Sequence, residues 1–248
     1  MDRQLQKHLQ EKPVLVRAGS VVLEGILYVP QGATGIVVFV KGSGSYRDRL
    51  HDRFIAQILH NGKLATLLID LLTPEEQHSD RVPGRVGFDI DRLVARLMGV
   101  THWLSDCPAT QHLKIGYLGD STGSPVALVT ATFCQDAVRA IACYSGRLDF
   151  AGSALFQVTV PILLVVGGHD ILSVGINRRA INYLRTKKRL VILPDVTHLC
   201  ETPGSLEEVA RLAMLWFEHY LAPVERQEPN VQNKRKENAI AQSWHLES

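Results

Sequence analysis

The 248-residue chain predicts an α/β fold: a mainly parallel central sheet with helices on both faces, entered through an N-terminal antiparallel hairpin. Three observations lead there. Short continuous apolar runs recur along the chain, as strands covered on both faces require. Stretches with a 3.6-residue apolar period separate them. Ahead of the first such run, two segments alternate with period two.

The elements follow in order. Residues 14–16 and 21–29 alternate and are broken by Ala18-Gly19-Ser20, which reads as a hairpin turn. Residues 36–40 form the first buried strand, and Phe54, Ile55, Ile58 and Leu59 mark one face of a helix stopped by Gly62. Residues 64–72 are the next strand, followed by a long polar loop over 73–87. Asp89 caps a helix whose apolar face is Ile90, Leu93, Val94, Leu97, Val100 and Leu104. The strand at 115–118 leads into a helix that includes 126–132 and tolerates Pro125 in its first turn. Residues 138–144, 162–166 and 189–193 are further strands, with a helix over 176–184 between the last two. The last helix opens on Ser205-Leu206-Glu207-Glu208, read as a capping box, and continues through Val209, Leu212, Trp216 and Tyr220. These elements form one domain, residues 1–222. From 223 to 248 the composition turns to Gln, Asn, Glu, Lys and Arg without apolar periodicity, which predicts a disordered tail.

A net charge of +2 gives no electrostatic reason to expect nucleic acid or an acidic membrane as partner. Cys107, Cys134, Cys143 and Cys200 show no paired spacing, so they read as reduced thiols rather than as metal ligands or staples. No metal and no cofactor is expected. Residues 1–13 lack the apolar core of a secretory signal, and no run reaches the length of a membrane span, so the expected location is cytoplasmic. A homodimer is compatible with the chain, though no interface is specified by it.

The chemistry is carried by Gly119-Asp120-Ser121-Thr122-Gly123, placed where a strand gives way to a helix. Gly-x-Ser-x-Gly at such a turn is a nucleophile elbow: the serine takes a strained backbone, and side chains two residues to either side would collide as strand and helix converge. The plainer reading is that Ser121 caps the helix. A serine nucleophile needs a base, and the base needs a carboxylate to hold it. In an open α/β sheet both belong past the C-terminal ends of later strands. Asp170 follows the strand at 162–166 and His198 follows the one at 189–193, which completes the chain order Ser, Asp, His. His169 is the rival base among ten histidines, of which His51, His60, His102 and His219 read as solvated helix residues; Asp195 and Asp149 are rival acids. The oxyanion hole would use the amides of Thr122 and Ser43, with Gly44 as the alternative in Lys41-Gly42-Ser43-Gly44-Ser45. That loop also resembles a phosphate cradle, but the Gly-Lys-Ser/Thr ending is missing.

Taken together, residues 14–220 resemble the α/β-hydrolase superfamily, specifically its dienelactone-hydrolase-like branch. The resemblance rests on Phe39 through Ser45, on Asp70-Leu71-Leu72-Thr73-Pro74-Glu75-Glu76, on the elbow, on Val165 through Asp170, and on Thr197-His198-Leu199 with Pro203-Gly204. It implies an α/β-hydrolase fold and hydrolysis of a small carboxylic ester, lactone or thioester. Two positions depart from the family pattern: Lys41 stands in place of a histidine, and Asp120 in place of a small residue. Dienelactone hydrolases use a cysteine nucleophile, so Ser121 points to a different substrate.

Lys41, Arg47 and Arg147 all follow strands and are candidates to bind a substrate carboxylate, against the plainer reading of solvated cations. Two other functions fit the same residues. One is a non-catalytic binding protein on the hydrolase scaffold; the other is an acyltransferase or perhydrolase using the same triad.

Overall fold

A computed structural model of the protein describes residues 11–41, 46–80, 89–196 and 204–223. Strands β1 (Lys12–Ala18) and β2 (Val21–Tyr28) form the expected hairpin, in register from Lys12 opposite Leu27 to Ala18 opposite Val21. Gly19 turns it at φ +65°, a conformation that side chains resist. Strand β3 (Gly35–Val40) is followed by β4 (Leu64–Ile69), β5 (Ile115–Asp120), β6 (Val138–Tyr144), β7 (Ile162–Gly167) and β8 (Lys188–Leu193). They make one eight-stranded sheet in the order β1-β2-β4-β3-β5-β6-β7-β8. β2 runs antiparallel to β4, and every pairing from β4 to β8 is parallel.

The helices are α1 (Tyr46–Asn61), α2 (Pro74–Asp80), α3 (Ile90–Asp106), α4 (Gly123–Phe133), α5 (Ala154–Gln157), α6 (Ile171–Tyr183) and α7 (Ser205–Leu221). β3 is buried along its whole length because both of its faces are covered. Its alternating pleat sends Ile36, Val38 and Val40 into one core with Leu97, Val100 and Val126 of α3 and α4. Val37 and Phe39 enter a second core with Ile55, Leu59, Phe217 and Leu221 of α1 and α7. From β3 the chain crosses through α1 to β4 on one side, and from β4 through α3 to β5 on the other. The strand order therefore reverses around β3, and in open α/β sheets a site belongs beyond the C-terminal ends of the strands at such a point, here β3 and β5. Both the loop after Val40 and the turn at Ser121 leave the sheet there.

Several expectations need correction. The strand expected over 64–72 stops at Ile69, and the polar stretch from 73 contains α2. The overlooked signal was Thr73-Pro74-Glu75-Glu76, itself a capping box: the Thr73 amide donates to Glu76 Oε2 at 2.9 Å, and the Glu76 amide donates to Thr73 Oγ1 at 3.4 Å. The expected box at Ser205 does not form. Gly204, at φ +80°, caps α7 without a side-chain bond, and Ser205 is buried inside the helix. Helix α6 begins at Ile171, not 176, because Asp170 caps it. His60 is not a solvated surface residue: it bonds Thr66 at 2.9 Å and packs at a tilt against the Tyr28 ring, and burial lowers its pKa to about 4. The tail expected from residue 223 lies, beyond Pro223, outside the described residues.

Glu76 also ties α2 to α3. Arg96 Nη2 donates to Glu76 Oε1 at 2.8 Å, and Arg96 Nη1 donates to the Leu71 carbonyl at 2.7 Å, which fixes the exit of β4. The Arg96 hydrogen bonds outweigh desolvation and hold the Glu76 carboxyl down at about 2, from an ordinary 4.5. A carboxylate whose folded pKa is depressed stabilises the fold above its unfolded value, and that contribution fades as pH falls from 4.5 towards about 2. Glu76→Gln is therefore expected to lower Tm at neutral pH, with the gap to wild type shrinking below pH 4.5. Thermal melts of both proteins across acid pH measure this, and a constant gap would contradict it.

Candidate active site

Ser121 stands between the end of β5 and the start of α4, with φ at +35°. A non-glycine residue held there costs about 1–3 kcal/mol, so surrounding contacts must impose it. They are on hand. The Ser121 amide donates to the Tyr144 carbonyl at 3.2 Å, and its carbonyl accepts from the Arg147 amide at 3.0 Å. The flanking glycines permit the turn by close approach. A Cβ on Gly119 would lie 2.7 Å from Ser124 Cα, and one on Gly123 only 1.9 Å from the Val40 carbonyl oxygen. Ser121 remains partly exposed, so its hydroxyl can be reached. Thr122 is the N-cap residue of α4 without a side-chain cap bond. Its amide has no backbone acceptor among the described residues, which leaves a donor beside Ser121 at a helix N-terminus. Ser43 and Gly44 lie outside the described residues.

Asp170 follows β7 and caps α6, its Oδ1 accepting from the Ser173 amide at 2.9 Å. His198 lies outside the described residues. The rivals to these two are engaged elsewhere. His169 Nε2 lies 3.4 Å from Asp195 Oδ1, both side chains largely exposed, so the alternative base and an alternative acid meet each other at the surface. Asp149, the other alternative acid, accepts from Arg147 Nε at 3.0 Å and Nη2 at 2.8 Å.

The cations expected to meet a substrate carboxylate are placed differently from that expectation. Lys41 does not offer its charge to solvent. Its ammonium lies 2.8 Å from Asp52 Oδ2 and 3.7 Å from Asp120 Oδ2, with side-chain exposures of 8%, 8% and 13% respectively. Arg147 is forked onto Asp149 and lies over the Phe150 ring, 4.5 Å from its centroid. The Arg47 side chain lies outside the described part. Among the described residues no group of three or more His, Cys, Asp or Glu is placed to hold a metal ion. No described helix is long and apolar enough to cross a membrane.

Known proteins share this fold. A crystal structure of dienelactone hydrolase from Anabaena variabilis is 50% identical and superposes with a TM-score of 0.82, covering 86% of this chain and 99% of that one. The chain belongs to the dienelactone hydrolase family of α/β-hydrolases. Its fold is accordingly that of the α/β-hydrolases. The Pyrococcus furiosus esterase PF2001, 18% identical with a TM-score of 0.67 over 86% of this chain and 91% of that one, shares the fold. So does the dienelactone hydrolase-like promiscuous phosphotriesterase P91 from metagenomic libraries, 16% identical with a TM-score of 0.68 over 86% and 99%. A Mycobacterium tuberculosis protein named "Putative phosphoribosyl transferase" is 45% identical over 216 residues, which are 87% of this chain and 48% of that protein. The chain thus spans about half the length of the curated relatives it matches. No family model matches it.

The two departures from the family pattern, Lys41 and Asp120, lie within 3.7 Å of each other, a pairing between segments remote in sequence. Cys143 is no substitute for the cysteine nucleophile of dienelactone hydrolases. It is fully buried in β6, and burial pushes its thiol up to about 12, so it stays protonated and unreactive.

Proposed function

We propose that the chain is a serine hydrolase that cleaves a small carboxylic ester, lactone or thioester through an acyl-enzyme. The observation that carries this reading is the strained, partly exposed Ser121 at the junction of β5 and α4, with glycines where any Cβ would strike backbone. In the proposed cycle His198 accepts the Ser121 proton as the hydroxyl oxygen attacks the acyl carbon. The oxyanion is held by the amides of Thr122 and Ser43, and the alcohol leaves with the proton from His198. Water, activated by the same imidazole, then releases the acid and restores Ser121. Asp170 orients the imidazole and favours its charged form. The engagement of His169 with Asp195, and of Asp149 with Arg147, supports assigning base and acid to His198 and Asp170.

The substrate side follows from the charges. Lys41 is compensated inside the protein and Arg147 is bound to Asp149, so neither stands ready for a substrate carboxylate. Phosphoribosyl transfer is not carried over from the mycobacterial relative, because that name describes a protein about twice as long as the part matched here.

A fluorophosphonate probe tests the assignment. Prompt labelling that is lost in both Ser121→Ala and His198→Ala is the expected result. No labelling of the wild type would favour a ligand-binding scaffold. Labelling with acyl transfer to an added alcohol in preference to water would favour an acyltransferase. Turnover of p-nitrophenyl esters of increasing chain length, alongside lactones, then defines the acyl group.

A further inference from the structure

We infer that Lys41 is a positioning residue that clamps the base of the oxyanion loop to the nucleophile turn through Asp120 and to α1 through Asp52. The inference rests on the serine hydrolase reading above. Lys41 is the residue that leaves β3, so residues 42–45, which carry the proposed donor Ser43, start from it. Asp120 is the residue immediately before Ser121. One buried ammonium between Asp52 and Asp120 therefore connects three segments: the strand that feeds the oxyanion loop, the turn that holds the nucleophile, and the helix that follows the loop.

The backbone is already close here. A Cβ on Gly123 would lie 2.9 Å from Lys41 Cα, so Lys41 and the start of α4 are in direct contact beside Ser121. Oxyanion stabilisation depends on the separation of two amides, one from each side of this contact. A shift of about 1 Å at such a point costs on the order of 100-fold in rate without touching the chemistry. The charges also set an order of effects. Removing Lys41 takes its ammonium from both carboxylates, whereas removing the charge of Asp120 leaves the 2.8 Å pair of Lys41 with Asp52.

The test compares Lys41→Met, Asp120→Asn and the double variant with wild type, using ester turnover and the rate of fluorophosphonate labelling, with folding checked by thermal melting. Lys41→Met is expected to lower kcat about 10- to 100-fold with KM nearly unchanged. Asp120→Asn is expected to lower kcat severalfold, and adding it to Lys41→Met to cost less than the product of the two single losses, because the contact the two residues share is already broken. Independent packing losses at the two positions would multiply instead. Should Lys41→Met fail to fold, Asp120→Asn still decides: kcat equal to wild type overturns the clamp. So does a double variant whose loss is the product of the two single losses. Ser121→Ala run alongside separates the two readings. If the wild type is labelled through Ser121 and the Lys41 and Asp120 variants match its rate, the clamp alone is wrong; if labelling does not depend on Ser121, both are.

Discussion

Ser121→Ala is expected to abolish ester hydrolysis, with a loss on the order of 10⁴-fold or more, while leaving the thermal transition close to that of wild type. The alanine removes the hydroxyl and keeps the Cβ that the turn already accommodates. A second substitution at the same position separates chemistry from strain. Glycine has no Cβ to penalise φ of +35°, so Ser121→Gly is expected to be equally inactive but more stable than Ser121→Ala, by about 1 kcal/mol. Urea unfolding of the three proteins measures the difference. Retention of most esterase activity by Ser121→Ala would remove the serine from the mechanism. A Ser121→Gly protein less stable than Ser121→Ala would remove the argument from backbone strain.

Gly123→Ala is expected to be among the most damaging single-methyl additions in the chain. The added Cβ would sit 1.9 Å from the Val40 carbonyl oxygen and 2.6 Å from its carbon, and both are backbone atoms of a fully buried strand. No rotamer change relieves such a contact, so β3 and α4 must separate, at a cost on the order of 4 kcal/mol or more. The same separation would pull the Thr122 amide away from the loop that follows β3, so activity should fall even in the fraction that stays folded. Urea unfolding and ester turnover measure the two effects. Gly175→Ala, which adds a methyl to α6 where nothing lies within 4 Å, is the control. Equal stability of the Gly123 and Gly175 variants would contradict the close approach of strand and helix.

The strand at 138–144 and the hairpin around Gly19 were legible because their signals are local: apolar runs, alternation, and a turn residue with a conformational reason to be there. Asp89 was legible as a cap for the same reason, and its carboxylate accepts from the Arg92 amide at 3.0 Å. Helix boundaries were read less well where two signals competed. Thr73 to Glu76 carries a capping box inside a polar stretch, where the loop signal and the helix-start signal compete. At Ser205 a box-like pattern was present, but Gly204 supplies the left-handed turn that starts the helix, leaving the serine to pack inside.

Within the candidate site, the place of Ser121 at the strand-to-helix junction was evident from five consecutive residues, because the elbow is a local backbone device. The partnerships around it were not. Lys41 with Asp52 and Asp120, Arg96 with Glu76, and His169 with Asp195 each join residues from different elements. Whether a charge faces solvent or a buried counter-charge depends on how strands and helices stack, and no periodicity encodes that. The amino-acid order thus settled which segments become strands and helices and which serine sits at the sharp turn, since those follow from side-chain period and glycine placement. The fate of the charges around that serine was settled by packing, since electrostatic pairing acts through space between segments remote along the chain.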